Sequence, residues 1–187
     1  MNVCVFCGGS NLARAPYLES AEQMAQTLVG RRHTLIYGGG GIGLMGRLAD
    51  AALALGGEVI GVMPTSLIAR ELAHPGLSQL IVVPDMLERK KRMAELSGAF
   101  VALPGGYGTL DELFEMLTWT QMGTQHKPCG MLNIAGFYNL LLAWVDHAVL
   151  EGLIHPSHRG LLLEHTDADA LLDQLEGWTL PEMPSLS

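Results

Sequence analysis

The chain reads as an α/β protein: a Rossmann-like, doubly wound, mainly parallel sheet with helices on both faces. Three observations predict this class. Short apolar runs alternate with helix-periodic segments along the 187 residues. Runs such as Val3–Phe6 and Ile81–Val83 are apolar without alternation, as strands covered on both faces require. Three glycine-bearing turns follow predicted strand ends, the edge at which an open α/β sheet holds its ligands.

The elements follow in order. Strand Val3–Cys7 runs into Gly8-Gly9-Ser10, and Pro16 suits the first position of helix Pro16–Val29, with Gly30 as its stop. Strand Thr34–Tyr37 runs into the turn Gly38–Gly46, and helix Leu44–Leu55 stops at Gly56. Strands Val59–Met63 and Gln79–Val83 precede helix Met86–Ser97. Strand Phe100–Leu103 meets Pro104-Gly-Gly-Tyr-Gly108 and helix Leu110–Gln121. Strand Gly130–Asn133, helix Phe137–Glu151, strand Leu161–Leu163 and helix Ala168–Leu175 complete the series. One domain over residues 1–179 and a short tail at 180–187 are expected, because no linker, repeat or low-complexity segment interrupts the pattern.

Composition narrows the function. Net charge is −8 and pI about 5.2, which argues against a nucleic-acid partner held by bulk electrostatics. The oiliest stretch, Met131 to Leu150, carries Asn133, Asn139, Asp146 and His147, so no membrane span is expected. The start, Met-Asn-Val-Cys-Val-Phe-Cys, lacks a basic n-region and reads as a strand; a cytoplasmic protein is expected. An apolar fraction of 49% points to a buried subunit interface. Cys4 and Cys7 form a C-x-x-C, but Cys129 has no paired partner and His155/His158 lack a carboxylate, so buried strand thiols are preferred to zinc or redox chemistry.

The chemistry concentrates after strand Phe100–Leu103. Glycines let backbone N–H groups approach an anion, and the helix that follows aims its unpaired N–H groups and dipole at the same point. Glu112 stands beside that anion site. It can also be read as the last member of a capping box, Thr109-Leu-Asp-Glu112, bonding the N–H of Thr109. The adjacent phosphate loop favours the functional reading. In the basic segment Asp85–Ser97, Met86, Arg89, Met93 and Leu96 share one helical stripe, so Arg89 sits in an apolar seam and should meet an anion there. Lys91 and Arg92 point elsewhere. On helix Leu110–Gln121, Met116, Trp119 and Met122 lie away from the Leu110, Phe114, Leu117 stripe and look free for a partner.

Gly41-x-Gly43-x-x-Gly46 matches a dinucleotide fingerprint. It follows the second strand rather than the first, and the next strand ends in Met63-Pro64 without the expected acid. NAD binding is therefore a minority reading.

Arg89-Lys90 together with Pro104-Gly-Gly-Tyr-Gly-Thr-Leu-Asp-Glu112 resembles the LOG (Lonely Guy) family, the cytokinin riboside 5′-monophosphate phosphoribohydrolases, a family that also carries a lysine decarboxylase label. Cys7-Gly-Gly-Ser10, Tyr37-Gly-Gly-Gly, Gly43-Leu-Met-Gly46, Glu71 and Thr118-Trp119 extend the resemblance over nearly the whole chain. It implies a homodimer that hydrolyses the N-glycosidic bond of a nucleoside 5′-monophosphate, with no cofactor and no metal. It implies Arg89 and Glu112 as the catalytic pair. Gly105, Gly106, Tyr107, Gly108 and Thr109 would cradle the phosphate, and Glu71, Lys90, Thr118 and Ser10 would line the substrate site. Leu87 and Gly98 depart from the family pattern, which has histidine and aspartate there in many members. A non-catalytic carrier of a nucleotide or phosphorylated cofactor is the alternative; it would need the glycine loop but not the acid.

Overall fold

Seven apolar runs pair side by side because each carries apolar residues at both parities and can be buried on both faces. The computed structural model describes residues 1–68 and 72–181. Its strands are β1 (Asn2–Phe6), β2 (Thr34–Tyr37), β3 (Val59–Pro64), β4 (Gln79–Val83), β5 (Ala99–Ala102), β6 (Cys129–Leu132) and β7 (Leu162–His165). They form one sheet in the order β4-β3-β2-β1-β5-β6-β7, and every neighbouring pair is parallel. The predicted class stands.

The helices are α1 (Ala15–Gly30), α2 (Gly43–Ala54), α3 (Thr65–Ile68), α4 (Met86–Leu96), α5 (Tyr107–Gln121), α6 (Asn139–Leu150), α7 (Pro156–Arg159) and α8 (Ala168–Glu176). Val3 and Val5 of β1, and Cys7 just beyond it, point into a layer with α1, α2 and α8. Cys4 and Phe6 point the other way, toward α4, α5 and α6. The two cysteines of the C-x-x-C thus lie on opposite sheet faces, both free and buried. Burial pushes both thiols up, which suits apolar packing rather than thiolate chemistry.

Several boundaries depart from expectation. Helices α3 and α7 are four residues each, too short to leave a periodic pattern. Gly30 ends α1 in helical geometry, and the left-handed residue beyond it is Arg32, with φ 59°. Gly56 does stop α2, with φ 76°. The most consequential shift is at α5, which starts at Tyr107 rather than Leu110, with Gly106 at its N-cap and no side-chain cap. Thr109 is therefore inside the first turn, and no capping box forms.

Moving the start of α5 also changes which side faces the core. Its buried residues are Thr109, Glu112, Leu113, Met116 and Thr120. Leu110, Phe114 and Leu117 are only half-buried, Leu110 and Leu117 packing at the edge of the core, and Met116, expected to lie free for a partner, belongs to the core itself. The inward stripe escaped notice because two polar site residues interrupt it. The expected tail at 180–187 falls almost wholly on residues 182–187, outside the described residues. Among the described residues, no helix is long and apolar enough to cross a membrane.

Gly43 ties α2 to the end of β1. Its φ is 61°, and a Cβ there would lie 2.5 Å from the Gly9 carbonyl carbon. Gly43→Ala should therefore lose about 2 kcal/mol or more of unfolding free energy in urea titrations, from strain and contact together. An unchanged midpoint would show that the turn has room.

Candidate active site

β1 lies between β2 and β5, so the chain winds outward in both directions from the β1/β5 pair. That switch point is where an open sheet leaves a crevice beyond its strand ends. The two glycine turns there are joined: Leu103 N–H donates to Phe6 O (2.9 Å), and Gly8 N–H donates to Pro104 O (3.1 Å). A cavity of about 640 Å³ opens above them.

Two of the helix N-termini at this edge follow glycine-rich turns, and they differ in what their donors do. At α2, Leu44 and Met45 N–H both donate to Gly8 O (3.0 and 3.3 Å), and Gly43 N–H donates to Asn11 Oδ1 (2.9 Å). Those groups brace β1 and are not free for a pyrophosphate, so the dinucleotide-like run is a structural turn. At α5, the N–H groups of Tyr107, Gly108 and Thr109 find no partner among the described residues. Gly106 and Gly108 line the cavity with open space where a Cβ would be. Unpaired donors at a positive helix end form an anion site. Gly105 serves a different need: a Cβ there would lie 2.0 Å from Thr109 Oγ1, so only glycine lets the threonine hydroxyl close under the loop.

About one and a half turns into α5, Glu112 meets Arg89 of α4. Arg89 Nη1 stands 3.3 Å from Glu112 Oε1, and each residue is only 8% exposed. Arg89 is held further by Nε donating to Val62 O (3.1 Å) and by Nη1 against Met86 Sδ (3.8 Å). α4 itself is started by Asp85, whose carboxylate accepts from Glu88 N–H (2.9 Å). The anion expected beside Arg89 is thus supplied by the chain itself. Burial pushes the Glu112 carboxyl above the ordinary carboxylate range; Arg89 opposes this and Asp111 adds to it. Both residues line the cavity.

The remaining predicted residues divide. Ser10, Gly105, Gly106, Gly108 and Thr109 line the cavity with the ion pair. Tyr107 is 95% exposed and points off it. Lys90 turns to α5, with Nζ 3.2 Å from Asp111 Oδ2 and 3.0 Å from Glu115 Oε2, and Thr118 gives its hydroxyl to Phe114 O (2.7 Å). Neither lines the cavity of its own chain. Glu71 lies outside the described residues.

Sequence reading missed the opposite wall. Tyr17 and Phe137 meet edge to face there, their ring centroids 5.3 Å apart, and Arg14 bonds the Tyr17 hydroxyl (2.7 Å). Their signal was positional: all three closely follow strand ends at the ligand edge. Among the described residues, no group of three or more His, Cys, Asp or Glu is placed to hold a metal.

A buried acid–guanidinium pair beside uncapped helix donors at the switch point defines a class: a Rossmann-like α/β protein with a cavity at its ligand edge that offers unpaired donors to an anion. Comparison with known proteins gives the particular family. A family model described as "Possible lysine decarboxylase" matches residues 45–175. The chain is 49% identical over 174 residues to "Probable cytokinin riboside 5'-monophosphate phosphoribohydrolase LOGL9" of Oryza sativa subsp. japonica, covering 93% of this chain and 77% of the relative. It is 47% identical over 176 residues to cytokinin riboside 5'-monophosphate phosphoribohydrolase LOG5 of Arabidopsis thaliana, covering 94% and 77%. The chain belongs to this LOG family. In fold it is similar to the molybdenum cofactor binding protein of Rippkaea orientalis, with TM-score 0.71, 20% identity and 94% of each chain covered. None of the chain's three lysines lines the cavity, so the site offers no anchor for pyridoxal chemistry.

Removing Arg89 exposes the ion pair's contribution. Because the folded pKa of Glu112 is raised, its protonated form is favoured in the fold. Its stabilising contribution is present below the unfolded value, near 4.3, and is lost as pH rises through the folded value. Without the guanidinium that folded value rises further. Arg89→Ala should therefore be less stable than wild type by about 3 kcal/mol near pH 8, with the gap narrowing toward about pH 5 as Glu112 protonates. Chemical denaturation across this range is the check; a pH-independent gap would mean that Glu112 is not the group involved.

Proposed function

We propose that this chain hydrolyses the N-glycosidic bond of a nucleoside 5′-monophosphate of the adenosine or cytokinin type, releasing the free base and ribose 5-phosphate. The observation that carries the reading is the Arg89–Glu112 pair, buried at 3.3 Å beside the uncapped start of α5. The names of the LOG relatives support it. The α5 N–H groups, Gly105, Gly106, Gly108 and the Thr109 hydroxyl take the phosphate, with Ser10 on the facing turn. The C1′–N bond breaks with its electron pair leaving on the base, which takes up a proton. The ribosyl cation left behind is stabilised by the Glu112 carboxylate. Water then adds to C1′, and its proton passes to Glu112 or to solvent. Arg89 keeps Glu112 ionised and fixed in place. A carrier of a phosphorylated cofactor would have no use for an acid held at this cost.

The direct test is release of free base from AMP and isopentenyladenosine monophosphate, with the unphosphorylated nucleosides as controls. No base from either monophosphate would defeat the reading. Glu112→Gln should reduce turnover by about a hundredfold or more. In wild type the acid limb of kcat should lie above the ordinary glutamate range, since the ionised form acts and its pKa is raised. A limb at ordinary glutamate pH would assign the chemistry to another group.

The reading extends to a cytoplasmic homodimer. Phe114 is half-buried on the outer side of α5, flanked by the partly exposed Leu110 and Leu117 at the edge of the core, and it meets the exposed Trp144 of α6 edge to face, centroids 6.4 Å apart. Leu140, 87% exposed, continues the face. Apolar surface of this extent calls for a partner, and two-fold pairing gives two equivalent sites. Thr118 stands exposed on α5, so its expected place in substrate binding requires a second chain. Trp144→Glu should shift the mass in light scattering from dimer to monomer. A wild-type monomer at micromolar concentration with full activity would defeat this part.

A further inference from the structure

Gly38 follows the last residue of β2 and lines the cavity. Its neighbours in the glycine run are required by the backbone, since Gly39 has φ 79° and Gly43 has φ 61°. Gly38 has no such φ, so its backbone would accept any residue. What it lacks is space. A Cβ built on Gly38 would stand 1.8 Å from Arg89 Nη2 and 3.0 Å from Arg89 Cζ, with Met45 Sδ 3.5 Å away.

A clash with the tip of a long side chain is usually relieved by swinging the tip aside. Arg89 borders the cavity but is tethered by its contacts. Its Nε is bonded to Val62 O, its Nη1 lies between Glu112 Oε1 and Met86 Sδ, and only 8% of the residue is exposed. Moving the guanidinium away from a new methyl group means giving up at least one of these contacts, and a buried ion pair loses sharply when its geometry is spoiled.

We infer that Gly38 is a positioning residue: its missing side chain is the notch that seats the Arg89 guanidinium against Glu112. The catalytic consequence rests on the proposed phosphoribohydrolase reading, whereas the steric one rests on geometry alone. The glycine is therefore selected by the arginine across the crevice, not by the turn in which it stands.

The test uses four full-length proteins: wild type, Gly38→Ala, Arg89→Ala and the double variant. Each is melted and assayed for turnover of AMP and isopentenyladenosine monophosphate. Gly38→Ala should lower Tm by about 4 °C or more in the wild-type background. In the Arg89→Ala background, where the space is vacated, the drop should be less than half as large. Gly38→Ala should also cut kcat by about a hundredfold while KM stays within about threefold, because the glycine acts through Arg89 and not on the ligand. A Gly38→Ala protein that fails to fold while the double variant folds shows the same coupling at its limit and supports the notch. Equal Tm losses in both backgrounds, failure of both to fold, or a raised KM with unchanged kcat would each overturn it. If wild type hydrolyses neither monophosphate, the functional proposal fails, and the melting cycle still decides the notch.

Discussion

A guanidinium and a carboxylate taken out of water together are costly to desolvate, and Arg89 and Glu112 are both almost fully buried. A protein retains such a pair only where several neighbours hold it, and the surrounding structure does so. β3 offers the Val62 carbonyl, α4 offers Met86, α5 brings Glu112, and β2 ends in a residue without a side chain. Four elements from both sides of the switch point thus converge on one charge pair. The raised carboxyl of Glu112 shows that the partner does not fully repay burial. The remaining imbalance is what a cationic species in the cavity would relieve, since a positive charge near Glu112 gains most where water is scarce.

The glycines of this edge are not interchangeable. Gly43 meets a positive φ and a close backbone approach to Gly9 and Ser10, and a Cβ on Gly46 would lie 2.5 Å from the Gly41 carbonyl oxygen. Gly105 lets the Thr109 hydroxyl come under the phosphate loop, and Gly106 and Gly108 leave the helix start open. The same residue type therefore does backbone, packing and ligand work within one crevice. Two helices that look alike in sequence consequently differ at their starts: α2 gives its first donors to Gly8, and those of α5 find no partner among the described residues.

Fold class was legible because burial on both faces leaves continuous apolar runs, and all seven predicted strands appear within a residue or two of their bounds. The meeting of Arg89 and Glu112, the proposed catalytic pair, was legible too. Arg89 betrayed itself as a cation in an apolar stripe, and Glu112 by following a glycine loop. What sequence obscured was helix phase. Glycines at 106 and 108 argue against helix by propensity, so the sequence pattern starts α5 three residues late, which suggests a false capping box and leaves Met116 out of the core. The cause lies in function: a helix that must present bare N–H groups to an anion tolerates glycine where an ordinary helix would carry a cap. The wall of Tyr17 and Phe137 was hidden for another reason, since contact between α1 and the turn before α6 depends on tertiary packing that no local pattern encodes.

Helix α5 joins these themes. Its first turn leaves three N–H groups without a partner among the described residues, its inward face at about one and a half turns presents the acid, and Phe114 on its outer side meets Trp144. Because a helix is stiff over this length, a displacement at its outer face would be carried to its N-terminus and to Glu112 nearly undiminished. A partner chain packed on that face would then do more than cover apolar surface. It would fix the axis along which the helix N-terminus and the acid are aligned, so in the proposed dimer the Arg89–Glu112 geometry and the cover over Phe114 and Trp144 would be two demands on the same rigid element.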